Sequence, residues 1–436
     1  MDSLKQINNI FKGDKVIWVV FFLLCIVSII EVYSASSSLG YKSGNYWKAA
    51  TYHSFLLLIG VGVMVMTLNI KCKFFKLATP ILVPVAFVML ILVFVCGTKE
   101  NDAARWLKIG FIPIQPSEIA KGAMILATAQ ILSAMQTADG AAPKAMKYVL
   151  ITGAFLILPI APENLSTAAM LSVVVFLMMI IGRVPLKQLG LLVSVCVLFI
   201  GLGIGSILAF GKAPDNSLTD KEKMHLTEEV KESDDGIPVA IKDKEKNDKK
   251  PELSGVQKVA HRFNTWKGRI MEFTNKEEVP PEKYDLDKNG QVGHARIAIV
   301  SSNIKGCGPG NSVERDFLSQ AFSDFIYAIV IEELGIVGAF FVAFLYVVLL
   351  FRTGIIARRC KNPFPAYLAM GLALLMVTQA LFNMMVAVGL APVTGQPLPL
   401  ISKGGTSSII NCLYIGVILS ISRTAAKRED AVLADA

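Results

Sequence analysis

The stretch SDFIYAIVIEELGIVGAFFVAFLYVVLLF, residues 323–351, decides how the chain folds. Three acids, Asp324, Glu332 and Glu333, stand at the head of an apolar run that continues to about Phe351. The run is continuous rather than alternating and is long enough to cross a hydrocarbon core of the usual thickness. Comparable runs recur at 16–34, 51–68, 78–96, 117–135, 147–161, 166–182, 187–210, 366–390 and 408–422, each predicting a helix. Outer-membrane barrels instead show segments of about ten residues with strict alternation. The expectation is an all-α polytopic membrane protein with about ten transmembrane helices. Helices one to seven and their short loops occupy 1–210, a large extracytoplasmic loop 211–323, helices eight to ten 324–423, and a cytoplasmic tail 424–436.

The 436 residues carry a formal charge of +9, but the location of the charges argues against nucleic acid as the partner. Seventeen Lys and Arg fall at 5–15, 71–76, 144–147, 183–187, 352–361 and 423–428, and only six (Lys42, Lys48, Lys99, Arg105, Lys108, Lys403) in the short loops between. Basic residues gather on the cytoplasmic side of membrane proteins, so both termini are expected there. The seven cysteines are scattered and suggest neither a disulfide framework nor a metal motif. No cleavable signal peptide is read at the N-terminus.

The long loop opens with a mixed-charge tract. Within 211–252 nine basic and twelve acidic residues leave little to bury, so 215–250 reads as solvated and mobile. VQKVAHRFNTWKGRIMEF (256–273) is amphipathic at helical spacing and could lie on a membrane surface. DLDKNG (285–290) begins like a calcium loop, but the twelfth position, which needs Glu, is Arg296. GCGPGNS (306–312) lacks the spacing of a nucleotide-binding loop.

Charges inside a spanning segment are costly and mark function unless a partner explains them. On a straight helix Glu332 would lie about 12 Å beyond Asp324 and on a neighbouring face, with Glu333 nearly opposite. Asp324 or Ser323 could instead cap that helix. In NDAARWLKIGFIPIQPSEIAKGA (101–123), Pro116 and Ser117 suit a helix start, and Glu118 and Lys121 share a face as an ion pair or a functional pair. Arg105 and Trp106 could anchor the interface or meet a ligand. GLAPVTGQPLPLISKGGTSS (389–408) is a Pro- and Gly-rich break at membrane level, tolerated only where protein buries it or a wet cavity receives it.

These segments resemble the signatures of the SEDS family (shape, elongation, division and sporulation). Ala104–Arg105–Trp106 followed by Gln115–Pro116–Ser117–Glu118 and Lys121 matches one. PENLSTA (162–168) matches another more loosely. Asp324–Phe325–Ile326–Tyr327–Ala328 with Glu332–Glu333–Leu334–Gly335 matches a third, and Pro392 to Ser407 a fourth. Ser319, Thr394 and Lys403 depart from the usual residues, and the whole stands closer to the division branch than to the elongation branch. The resemblance implies a peptidoglycan glycosyltransferase of the bacterial plasma (inner) membrane that polymerises lipid II on the outer face. It implies work alongside a class B penicillin-binding protein transpeptidase and other divisome membrane proteins.

On that resemblance Asp324 is the catalytic residue. Arg105, Gln115, Ser117, Glu118, Lys121, Glu332, Lys403 and Ser407 form the candidate substrate-binding set. A hydroxyl nucleophile needs a base within hydrogen-bond reach, and a departing diphosphate needs cations, from Arg105, Lys403 or Lys121, or a divalent metal ion. No cofactor is certain and no protein metal ligands are assigned. A lipid II flippase using Glu118, Lys121 and Glu332, or a divisome scaffold, are the alternatives.

Overall fold

The computed structural model describes residues 12–35, 47–100, 103–109, 112–210, 290–318 and 321–434. The charged tract, the amphipathic 256–273 segment and Ser319 therefore lie outside the described residues. Met1–Leu192 and Val279–Ala436 form one compact unit, and Val193–Glu278 a second. In chain order the long helices are α1 (Lys15–Ala35), α2 (Trp47–Asn69), α3 (Cys72–Cys96), α4 (Pro116–Ala134), α5 (Lys144–Ile157), α6 (Leu165–Ile181) and α7 (Leu186–Phe210). A shorter α8 (Gly290–Ser301) precedes α9 (Ile326–Arg359), α10 (Pro363–Ala387) and α11 (Thr406–Ala434). Six of these helices contain a segment long and apolar enough to cross a membrane, and the chain is a multi-pass membrane protein.

The chain is not wholly helical. Between α3 and α4, where a loop is expected, β1 (Thr98–Glu100), β2 (Ala103–Ile109) and β3 (Ile112–Ile114) form an antiparallel sheet in that order. Thr98 faces Trp106, and Ile109 faces Ile112.

Local chemistry sets several helix starts. Asp14 Oδ1 accepts from the amides of Val16 (3.0 Å) and Ile17 (3.2 Å), capping α1. Asn164 does the same for α6 through Thr167 N at 3.1 Å. Pro116 opens α4 as expected, but Gln115 occupies the cap position and Ser117 lies inside the helix. Packing between α2 and α11 depends on missing side chains: a Cβ on Gly60 would lie 2.7 Å from Cys412 Sγ, and one on Gly416 2.7 Å from Met64 O. Small residues let helices approach closely where apolar burial alone gives no drive. Large apolar side chains such as Leu77, Ile81 and Phe340 remain exposed, as a lipid-facing surface requires.

The decisive irregularity is in α9. Gly335 adopts φ 69°, ψ −173°, and the helix breaks there. Tyr327 Oη reaches the carbonyl of Ala339 at 3.1 Å, although twelve residues of straight helix would separate them by about 18 Å. The short segment 326–334 is therefore folded back toward the start of the long one. A side chain on Gly335 would overlap the Ile304 carbonyl, and one on Gly306 would overlap that of Glu333. The straight helix expected from 325 to 351 is corrected accordingly.

Candidate functional site

The bend reassigns the acid pair. The carbonyls of Glu332 and Glu333, left open by the break, accept from Cys307 N (3.0 Å) and Gly308 N (2.9 Å). Glu332 Oε1 accepts from the amides of Val313 (2.9 Å) and Glu314 (3.4 Å), and its other oxygen from Ser312 Oγ. Glu333 Oε2 accepts from Gly310 N (3.0 Å), and Oε1 from Ser312 N (3.3 Å) and Ser34 Oγ, with Arg315 Nη1 at 3.9 Å. Both carboxylates are buried. They clasp the 304–315 loop to the bend, and Glu332 does not continue a polar face down from Asp324.

Asp324 sits on the turn before α9, half-buried, with Ser323 Oγ donating to its Oδ1 at 3.0 Å. Phe325, not Ser323 or Asp324, holds the cap position of α9, and makes no side-chain cap bond. The turn is pinned through its backbone instead. Asn383 Nδ2 donates to Asp324 O (2.8 Å), Ser402 Oγ to Ser323 O (2.6 Å), and Lys403 N to Phe322 O (2.9 Å). Lys403 Nζ lies 4.8 Å from the centre of the Phe322 ring, within cation–π range. Partial burial lowers the pKa of the Lys403 ammonium from its usual value. A carboxylate and a cation are thus held by one scaffold.

That scaffold is the broken segment ahead of α11, and of the two settings the sequence allows it, protein or a wet cavity, neighbouring helices supply the first. Its carbonyls at Gln396, Pro397, Pro399 and Ile401 accept from Asn383 Nδ2 (2.7 Å), Gln379 Nε2 (2.9 Å), Tyr346 Oη and Ser28 Oγ (2.8 Å). A non-helical backbone survives in an apolar bundle when neighbouring helices supply such donors. Gln396 in turn donates to Thr167 Oγ1 at 2.6 Å, tying the segment to α6.

Glu118 and Lys121 pair at 2.8 Å in α4, almost fully buried, and Lys121 Nζ also donates to Gln379 Oε1 at 2.8 Å. The pair reaches the scaffold through Gln379 and not through Asp324. Gln115 and Ser117 are half-buried at the start of α4, and Ser407 is buried in the first turn of α11. Arg105 lies in β2; its side chain is outside the described residues. Among the described residues no three His, Cys, Asp or Glu side chains converge as a metal site.

Sequence reasoning overlooked Gln379 and Asn383, which carry the scaffold. Their spacing of four in an otherwise apolar helix was the available signal. It also overlooked Ser28 and Ser34, six apart on α1, which serve the segment and the clasp respectively.

The sequence profile of the FtsW/RodA/SpoVE cell cycle proteins matches residues 14–211 and 256–427. The chain belongs to this family. It is similar to proteins named probable peptidoglycan glycosyltransferase FtsW. The relative from Halomonas elongata is 28% identical over 93% of this chain and 90% of its own. That from Bacillus subtilis is 28% identical over 92% and 88%. Among solved structures, a component of a peptidoglycan synthase complex that coordinates polymerization and crosslinking superposes with TM-score 0.62 at 20% identity, covering 95% of this chain and 99% of that one. Thermus thermophilus RodA, a rod shape determining protein, gives 0.59 at 18%, covering 95% and 98%. Both are likenesses of fold. The family profile stops at 211 and resumes at 256, on either side of the charged tract.

Proposed function

We propose that this FtsW/RodA/SpoVE-family chain is a peptidoglycan glycosyltransferase that polymerises lipid II, with Asp324 as its base. The observation carrying the reading is the half-buried Asp324 carboxylate on a turn pinned by Asn383, Ser402 and the Lys403 amide. In this reading Asp324 takes the proton of the GlcNAc 4-hydroxyl of one lipid II. The oxygen attacks C1 of the MurNAc of the other, the bond from C1 to the diphosphate oxygen breaks, and a β-1,4 linkage forms with inversion. Undecaprenyl pyrophosphate leaves, its charge countered by Lys403 and Arg105. Fixing the base before substrate arrives contributes because no reorganisation is then needed.

Glu118 and Lys121 position the scaffold through Gln379. Glu332 holds the clasp loop, and Gln115, Ser117 and Ser407 frame the approach. The donor set offers no ready cage for a resident metal among the described residues, so a divalent ion would enter with the diphosphate it neutralises. The burial of Glu118 and Lys121 against Gln379 favours polymerase over flippase, since a transport path would leave such groups open to solvent. Ten spanning helices, cytoplasmic termini and an outer-face site in the bacterial inner membrane complete the reading. A class B penicillin-binding protein and other divisome proteins are its partners, and septal wall synthesis its setting. The test is labelled lipid II with the purified protein and its transpeptidase partner. Asp324→Asn keeps shape and insertion but abolishes glycan strands; near-normal strand formation by this variant removes Asp324 from the mechanism.

A further inference from the structure

A groove of about 490 Å³ runs between α6, α9 and α10, away from the scaffold around Asp324. Phe351, Gly354 and Ile355 of α9 and Tyr367 and Met370 of α10 line it, and Arg358 stands at one end. From Phe351 to Arg358 the helix advances about 10 Å, two turns of apolar wall ending in a cation. Phe351 is 71% exposed, so the groove opens on the lipid-facing surface. The groove exists partly because residue 354 is glycine: a Cβ there would meet only Met370 Sδ, at 3.9 Å.

The cations of this end of α9 differ in their commitments. Arg352 is held by Asp14 at 2.8 Å. Arg358 is exposed and, among the described residues, its side chain makes no hydrogen bond or ion pair. Arg358, Arg359 and Lys361 lie within four residues, at the end that the charge asymmetry assigns to the cytoplasm. An apolar slot that opens to lipid and ends in a guanidinium uncommitted among the described residues complements an amphiphile with an acyl chain and an anionic phosphate head.

We propose that this groove is a binding site for an anionic phospholipid, one acyl chain lying over Gly354 and the phosphate on Arg358. The site is separate from the reaction at Asp324, and its failure would leave the glycosyltransferase reading untouched. The full-length protein in nanodiscs of equal phosphatidylglycerol and phosphatidylcholine is extracted gently, and retained lipid is read by native mass spectrometry. Wild type retains phosphatidylglycerol over phosphatidylcholine by roughly fivefold or more, as expected for a basic headgroup site. Gly354→Leu fills the slot and lowers retention of both lipids, while Arg358→Gln brings the ratio close to one. Equal retention of the two lipids by wild type overturns the proposal, as does a preference unchanged in both variants. Should Gly354→Leu fail to fold, the exposed Arg358→Gln change decides alone. Crosslinking of an Ile355→Cys variant to a second polypeptide, with no lipid retained, also overturns it.

Discussion

Replacing each clasp glutamate by glutamine changes one atom, yet the two replacements should differ sharply. Both oxygens of Glu333 face donors: Gly310 N on one side, and Ser312 N with Ser34 Oγ and Arg315 on the other. An amide has one accepting oxygen, so in either orientation its NH2 meets a backbone N–H. One buried donor is left unsatisfied, at about 1–3 kcal/mol, and the remaining bonds lose their charge assistance, worth about 2 kcal/mol together. The sum is about 3–5 kcal/mol for Glu333→Gln. At Glu332 the amide oxygen can keep the Val313 and Glu314 amides, while the NH2 turns to Ser312 Oγ, a hydroxyl that can rotate to accept. That change costs about 1 kcal/mol. The assay is amide hydrogen exchange across 306–315 in the detergent-solubilised protein. Glu333→Gln should raise exchange about a hundredfold or more and Glu332→Gln about fivefold, taking tenfold per 1.4 kcal/mol. Equal protection in the two variants would refute the clasp geometry, and wild-type protection in Glu333→Gln would do so more directly.

Asn383→Leu leaves the carbonyls of Asp324 and Gln396 without their shared donor; polymerisation should fall at least tenfold with little change in the KM for lipid II, about 1.4 kcal/mol of lost positioning. An unchanged kcat would show that the pin is dispensable. Burial lowers the Lys403 pKa below 10.5, so its proton is lost at a lower pH than from a free lysine. If its charge counters the diphosphate, activity should fall on an alkaline limb below that value, and Lys403→Arg should move the limb upward, because a guanidinium stays charged. A limb that Arg does not move assigns it to another group. Arg105→Lys keeps an interfacial charge but loses the planar fork that grips phosphate, so turnover should drop with Lys and nearly vanish with Ala; equal initial rates for all three leave Arg105 as an anchor.

The membrane class, most helix positions and the motif that heads α9 are legible in the amino-acid pattern alone. Those follow from local quantities: the length and continuity of the apolar runs, and Pro116 at the start of α4. The pattern also marked the 389–408 break as one that either protein or a wet cavity must receive, because an unpaired backbone is not tolerated against lipid; the fold supplies protein donors from α10. What the acids do is set by contacts between segments far apart in the chain. EELG reads as helix because a glycine's positive φ leaves no trace in apolar periodicity, and the fold-back at Gly335 depends on contact with Gly306, twenty-nine residues earlier. The same holds for Gln379 and Asn383. Their role exists only once the carbonyls of Gln396, Pro397 and Asp324 are brought to α10, and no local rule pairs a helix amide with a turn that distant in sequence.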